Sequence, residues 1–214
     1  NHANTLPLKG RLKVYVPKRT YKGVYSQWSD RIKGEPYDSY GISLNLVRQY
    51  FDVVENPAEA DAALVFIQGP TQARGHHKAD IEKGGTGYCP ISLQYGDYTA
   101  KYARKHSIAG GDPKENFTNR SYRGKTTTTH NKVEMETVLE TRKLMGKKPV
   151  IVAVAAERPM CFGEIEKAAD AILIGFEVQN QAFMEIIVGN SEPQGLLPMQ
   201  MPKDMRTVEE QKED

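Results

Sequence analysis

Three short apolar runs constrain this chain more than any other feature. Residues 62–67 read Ala-Ala-Leu-Val-Phe-Ile, residues 149–155 read Pro-Val-Ile-Val-Ala-Val-Ala, and residues 171–174 read Ala-Ile-Leu-Ile. Each run is too short for a core helix and lacks the alternation of a strand with one wet face. Such runs suit strands covered on both faces, the situation inside a parallel sheet flanked by helices. Residues 12–16, which end at Pro17, and residues 51–54 add two further strand candidates. Helical spacing recurs between them: Ile42, Leu46, Val47, Tyr50 and Phe51 form one stripe, and Met135, Val138, Leu139 and Met145 another. Shorter helices are expected at 98–106, 162–168 and 179–188, with a turn of helix at 57–60. Gly146 and Gly189 are placed to stop the helices before them, and Lys143 in a last turn favours the helix dipole. Alternating strands and helices predict a three-layer α/β/α sandwich with a mostly parallel sheet.

Composition narrows the function classes. With 39% hydrophobic and 26% charged residues over 214 positions, the chain has ordinary globular composition and enough length for one sizeable core. We therefore read residues 1–214 as a single α/β domain. The formal net charge of +2 is too small, and the basic residues too evenly spread, to point to nucleic acid or a membrane surface. The longest apolar run is about eight residues, below a membrane span. Cys89 and Cys161 are far apart and outside any metal-type spacing, so they read as buried free thiols. The opening Asn1-His2-Ala3 is expected to be a processed or truncated start, which leaves the compartment unread.

Three polar stretches, 18–40, 72–87 and 113–129, interrupt the pattern and read as long loops, which in a compact domain are commonly functional. The charged tail from residue 207 is expected to fray. His76-His77 is a tempting pair, yet adjacent side chains diverge and no further His or Cys lies at ligand spacing, so no metal site is expected. Gly84-Gly85-Thr86-Gly87 lacks the Gly-Lys-Ser/Thr ending of a phosphate cradle. Arg120, Arg123 and Lys125 read as a solvated loop. No cofactor is called for.

The last third carries the most specific pattern. Ala169-Asp170-Ala171-Ile172-Leu173-Ile174 is followed by Gly189-Asn190-Ser191-Glu192-Pro193-Gln194-Gly195-Leu196-Leu197-Pro198. This resembles the C-terminal α/β domain of glycoside hydrolase family 3, the β-glucosidase and β-xylosidase group, in which a Gly-Asp-x-Asn-Pro-Ser-Gly-Arg-Leu-Pro turn closes the domain. Gly189, Pro193, Gly195, Leu197 and Pro198 match that turn. Lys148-Pro149-Val150 resembles the family's Lys-Pro-Val strand, and Leu6-Pro7-Leu8 its entry from a preceding barrel. Ala60-Asp61-Ala62-Ala63-Leu64-Val65 resembles the strand that leads into the active-site loop. Where the family has Pro-Gly-Gln, this chain has Val178-Gln179-Asn180, and the 72–95 region is rearranged.

The resemblance implies a flavodoxin-like fold and a fragment of a larger enzyme. It implies a retaining exo-β-glycosidase of β-glucosidase or β-xylosidase type that hydrolyses O-glycosidic bonds. Its partners would be a small oligosaccharide or glycoside and an upstream (β/α)8 barrel carrying the aspartate nucleophile. The chain alone would then be inactive, and the family suggests a periplasmic or extracellular setting. The acid/base would come from the loop after the 62–67 strand. Glu82 is the glutamate of the 68–95 stretch and the catalytic candidate, with Asp80 weaker; the bland reading of Glu82 is a solvated loop residue beside Lys83. Trp28 and Tyr88 are candidates to stack on a sugar face and His76 to hydrogen-bond a hydroxyl, while Tyr95 and Tyr98 read as core-rim residues. The alternative is a non-catalytic carbohydrate-binding or structural α/β module.

Overall fold

The computed structural model describes residues 1, 4–25, 32–71, 78–103 and 121–210. In chain order the strands are β1 (Lys13–Tyr15), β2 (Arg19–Tyr21), β3 (Val24–Tyr25), β4 (Ile32–Lys33), β5 (Tyr37–Ser39), β6 (Asp52–Val54), β7 (Ala62–Gln68), β8 (Tyr98–Thr99), β9 (Thr126–Thr127), β10 (Val150–Ala155) and β11 (Ala171–Gly175). The helices are α1 (Leu44–Val47), α2 (Lys78–Glu82), α3 (Val133–Met145), α4 (Asn180–Val188) and α5 (Met205–Glu210), with 3₁₀ turns at Pro57–Glu59 and Glu166–Ala168.

Five strands form one parallel sheet in the order β11-β10-β7-β1-β6. Counted along the chain, that is the flavodoxin-like order 2-1-3-4-5. The apolar runs explain it. Along β7, Ala62, Leu64 and Phe66 enter a core with Phe183, Met184 and Ile187 of α4 and Val47 of α1. Ala63, Val65 and Ile67 face the opposite way, into a core with Val138 and Met145 of α3. Helices therefore cover both faces, which is the three-layer α/β sandwich expected from the sequence. Leu64 and Val65 are fully buried; each such side chain contributes about 1.5–3 kcal/mol of hydrophobic stabilisation.

The two aspartates that mark the family-like strands act alike. Asp61 Oδ2 accepts from the backbone N–H of Lys13 at 2.9 Å, and Asp170 Oδ2 from that of Val150 at 2.8 Å. Each stands just before a strand and satisfies the first N–H of the neighbouring parallel strand, a donor that the ladder leaves open. Asp170 is also held by Arg142 Nη2 at 2.7 Å. Gly189, the expected helix stop, takes the left-handed conformation (φ +80°), with Asn190 N donating to Glu185 O across the helix end.

Several local expectations are corrected. Residues 18–40 are not simply a loop, because β2 pairs with β5 and β3 with β4 as antiparallel ribbons. Tertiary contacts of Arg19 and Tyr21, rather than strand propensity, hold the first ribbon. Residues 98–99 form a strand against β9 instead of a helix. The helix expected around 42–51 is a single turn at α1, and that at 162–168 shortens to the 3₁₀ turn. The glycine-rich loop contains α2. The tail as far as residue 210 forms α5, anchored by buried Met205 in a small cluster with Tyr98, Ala100 and Cys161, and residues 211–214 lie outside the described residues.

Replacing Asp170 with alanine strands the Val150 N–H and removes the counter-charge of Arg142, which keeps its bonds to the Ala168, Gly146 and Lys148 carbonyls. We expect a loss of about 1–2 kcal/mol, read as a lower urea midpoint with an unchanged slope.

Candidate functional site

The carboxyl edge of a doubly wound sheet is where its crevice opens. Here a polar cleft of about 590 Å³ lies outside the ends of β7 and β10, beside the ribbon that follows β1. Tyr21, Tyr37, Gln68, Asn131, Glu157 and Arg158 are among the described residues lining it. The Tyr21 and Tyr37 rings stack, with centroids 5.0 Å apart and planes 17° apart, and Tyr37 is exposed. A smaller cavity of about 290 Å³ continues behind the same two tyrosines.

A buried ion pair underlies this wall. Arg19 Nε lies 2.6 Å from Glu134 Oε2, and both side chains are at most 2% exposed. Arg19 Nη2 donates to Phe66 O at 2.6 Å, and its Nε to the Tyr21 hydroxyl at 2.8 Å. The Tyr21 hydroxyl in turn donates to Glu134 Oε1 at 2.5 Å, which also accepts from Gln68 N at 3.3 Å. Burial pushes the Glu134 carboxyl above the usual carboxylate range, while Arg19 and the hydrogen bonds pull against it. Burial and the adjacent Glu134 charge likewise raise the Tyr21 phenol, so it serves as a donor. Gly41 fits because a Cβ there would sit 2.3 Å from Phe66 O and 2.6 Å from Arg19 Nη2.

The long segment between β7 and β8 is closed at its neck. The Tyr95 hydroxyl, on a fully buried ring, donates to Gln68 O at 2.6 Å. Asn131 accepts from Thr71 N and donates to Gly69 O, both at 2.8 Å. Thr129 Oγ1 donates to Tyr95 O, and the Glu164 carboxylate accepts from the N–H groups of Tyr95 at 2.5 Å and Gly96 at 2.8 Å. Both ends of the segment are thus tied to the start of α3 and to the chain beyond β10.

Within it, α2 ends in a left-handed glycine cap. Gly84 N donates to Ile81 O at 2.9 Å and Gly85 N to Asp80 O at 2.7 Å, with Gly84 at φ +82°. A Cβ on Gly85 would lie 2.3 Å from the Asp80 carboxylate, so a larger residue there would displace that side chain from its turn. Gly84-Gly85-Thr86-Gly87 is therefore a helix stop folded around an aspartate.

Glu82 closes α2 with an exposed carboxylate and no ion-pair partner among the described residues. Tyr88 is half-buried and does not line the cleft. Trp28 and His76, with His77 and Arg120, lie outside the described residues. Asp80 is bound into the turn just described. No metal-type cluster of His, Cys, Asp and Glu occurs among the described residues. Cys89 and Cys161 are buried free thiols; burial first, then the charges of Asp204 and Glu164, push the Cys161 thiol up to about 11, which suppresses nucleophilicity. Sequence reasoning missed Arg19, Tyr21, Tyr37, Glu134 and Asn131. One signal was available for Glu134: it shares the buried face of α3 with Thr137, Val138, Thr141 and Met145, and a glutamate at core spacing needs a partner.

The family model described as the glycosyl hydrolase family 3 C-terminal domain matches residues 1–214. The chain is similar to beta-glucosidase C of Emericella nidulans, 35% identical over 72 residues, which is 34% of this chain and 12% of that protein. It is equally similar to the probable beta-glucosidase C proteins of Aspergillus flavus and Aspergillus oryzae, 35% identical over 72 residues, 34% of this chain and 11% of each. The matched stretch thus spans about an eighth of these relatives' length or less.

The buried pair gives a sharp stability test. Arg19→Met alone leaves Glu134 buried without its counter-charge and is expected to cost about 3–5 kcal/mol, whereas Arg19→Met with Glu134→Leu recovers most of that loss. Chemical unfolding of the single and double variants measures both.

Proposed function

The chain belongs to the family of glycosyl hydrolase family 3 C-terminal domains, and from that membership we propose that it is one part of a retaining exo-β-glycosidase of β-glucosidase or β-xylosidase type. The substrate is a small oligosaccharide or aryl or alkyl β-glycoside. The nucleophile, an aspartate, comes from an upstream (β/α)8 barrel, and this chain, a single α/β domain, supplies the other carboxyl group from the segment after β7. Glu82 is that acid/base. The observation that carries this assignment is the segment between β7 and β8: it rises from the carboxyl edge of the sheet, its neck is fixed by Tyr95, Asn131 and Glu164, and it presents the Glu82 carboxylate to solvent.

The mechanism follows from retention of configuration. Two carboxyl groups about 5–5.5 Å apart flank the scissile bond. Glu82 protonates the glycosidic oxygen as the barrel aspartate attacks the anomeric carbon, giving a covalent glycosyl–enzyme. It then takes a proton from the water that releases the sugar. Trp28 and Tyr88 stack on sugar or aglycone faces, and His76 donates to a hydroxyl.

The test uses the full-length protein. Glu82→Ala is expected to lower kcat/KM for an alkyl β-glucoside by about 10²–10⁴-fold and to spare that for a dinitrophenyl β-glucoside, whose leaving group needs no proton. Added azide restores kcat on the activated substrate and yields the β-glycosyl azide. Unchanged rates on both substrates remove Glu82 from the mechanism and favour a non-catalytic carbohydrate-binding or structural role for this chain.

A further inference from the structure

Lys125 was read from the sequence as part of a solvated basic loop, yet it is three-quarters buried and reaches back to the helix that ends in Glu82. Its Nζ lies 2.7 Å from Asp80 Oδ2 and 2.8 Å from Thr86 Oγ1. The same Asp80 oxygen accepts from Gly87 N at 2.7 Å. One ammonium therefore ties the helix to the turn that follows it, spanning both sides of Glu82. The backbone of Lys125 is fixed as well: its carbonyl accepts from Ala100 N at 3.0 Å, its N–H donates to Tyr122 O at 3.0 Å, and the β8–β9 register places Thr126 against Thr99. Gly124, at φ +78° and donating to Ala100 O at 2.7 Å, completes the bend that aims the side chain.

We infer that Lys125 is a positioning residue for the acid/base: through Asp80 and Thr86 it fixes the orientation of α2, and with it the direction in which Glu82 leaves the helix. This rests on the reading of Glu82 as the acid/base. The arrangement suits the task. Glu82 sits on a helix of five residues, too short to hold its own axis in water. The glycine cap sets where that helix stops but not where it points. The Lys125 contact adds an anchor from a different part of the chain. Proton transfer needs the carboxyl within hydrogen-bond reach of the leaving oxygen, and a displacement of the order of 1 Å costs about 10²-fold in rate.

The inference predicts a selective defect in the full-length protein. Lys125→Met is expected to lower kcat/KM for an alkyl β-glucoside by about 10–100-fold while leaving kcat/KM for the dinitrophenyl β-glucoside unchanged, which also reports that the site is folded. Lys125→Arg, which keeps a donor within reach of Asp80, restores most of the alkyl glucoside rate. No change on either substrate, or an equal fall on both, overturns the positioning role. Glu82→Ala assayed in parallel separates the two ideas. If it shows the leaving-group dependence and azide rescue but Lys125→Met does not, the acid/base assignment stands and this inference fails. If Glu82→Ala has no effect, the assignment fails and the inference with it.

Discussion

The Arg19–Glu134 pair is the constraint around which the carboxyl edge is organised. Two charges removed from water are tolerated only when geometry and extra hydrogen bonds compensate their desolvation. Here compensation comes from four separate places: the Tyr21 hydroxyl, the Phe66 carbonyl, the Gln68 N–H and the opposing charge itself. Because these partners are spread over three elements, satisfying the charges fixes β2, the end of β7 and the first turn of α3 relative to one another. The cleft wall, with its stacked Tyr21 and Tyr37, follows from that placement rather than from any preference of the ribbon to form alone.

The parts of the fold that were legible in the sequence are those governed by solvent. Residues 62–67 and 149–155 are apolar at every position because both faces of the sheet are covered, and nothing outside the run is needed to read that. The glycine at 189 was legible for a similar reason: a left-handed residue at a helix end is a local demand. The ribbon of β2 and β5 was not legible, since Arg19 and Tyr21 carry no strand pattern and are held by Glu134, more than a hundred residues away. Lys125 was misread for the same reason, its aspartate lying 45 positions earlier. Of the candidate site, the location after β7 and the glutamate on it could be named from sequence. The neck built from Tyr95, Asn131 and Glu164 could not, because their hydrogen bonds all reach partners far away in the chain.

Motif and mechanism also separate in this chain. The Ala-Asp-Ala signatures that carry the family likeness sit at the amino edge of the sheet, where Asp61 and Asp170 cap neighbouring strands. The candidate chemistry sits at the opposite edge. Recognition through the Ala-Asp-Ala strands thus reports how the sheet is started, whereas the candidate site is built on how it ends.

The closed neck has a consequence for how such a segment can vary. Tyr95 holds Gln68 and Asn131 holds the first residues beyond it, so the two ends of the segment are pinned to β7 and to the start of α3. Closing a flexible loop costs only about 0.6 kcal/mol more for each doubling of its length. Stretches between the two ends that carry neither the Lys125 nor the Leu93 contacts can therefore be lengthened, shortened or exchanged with little effect on the scaffold, so that the neck makes an interchangeable cassette out of much of the candidate segment.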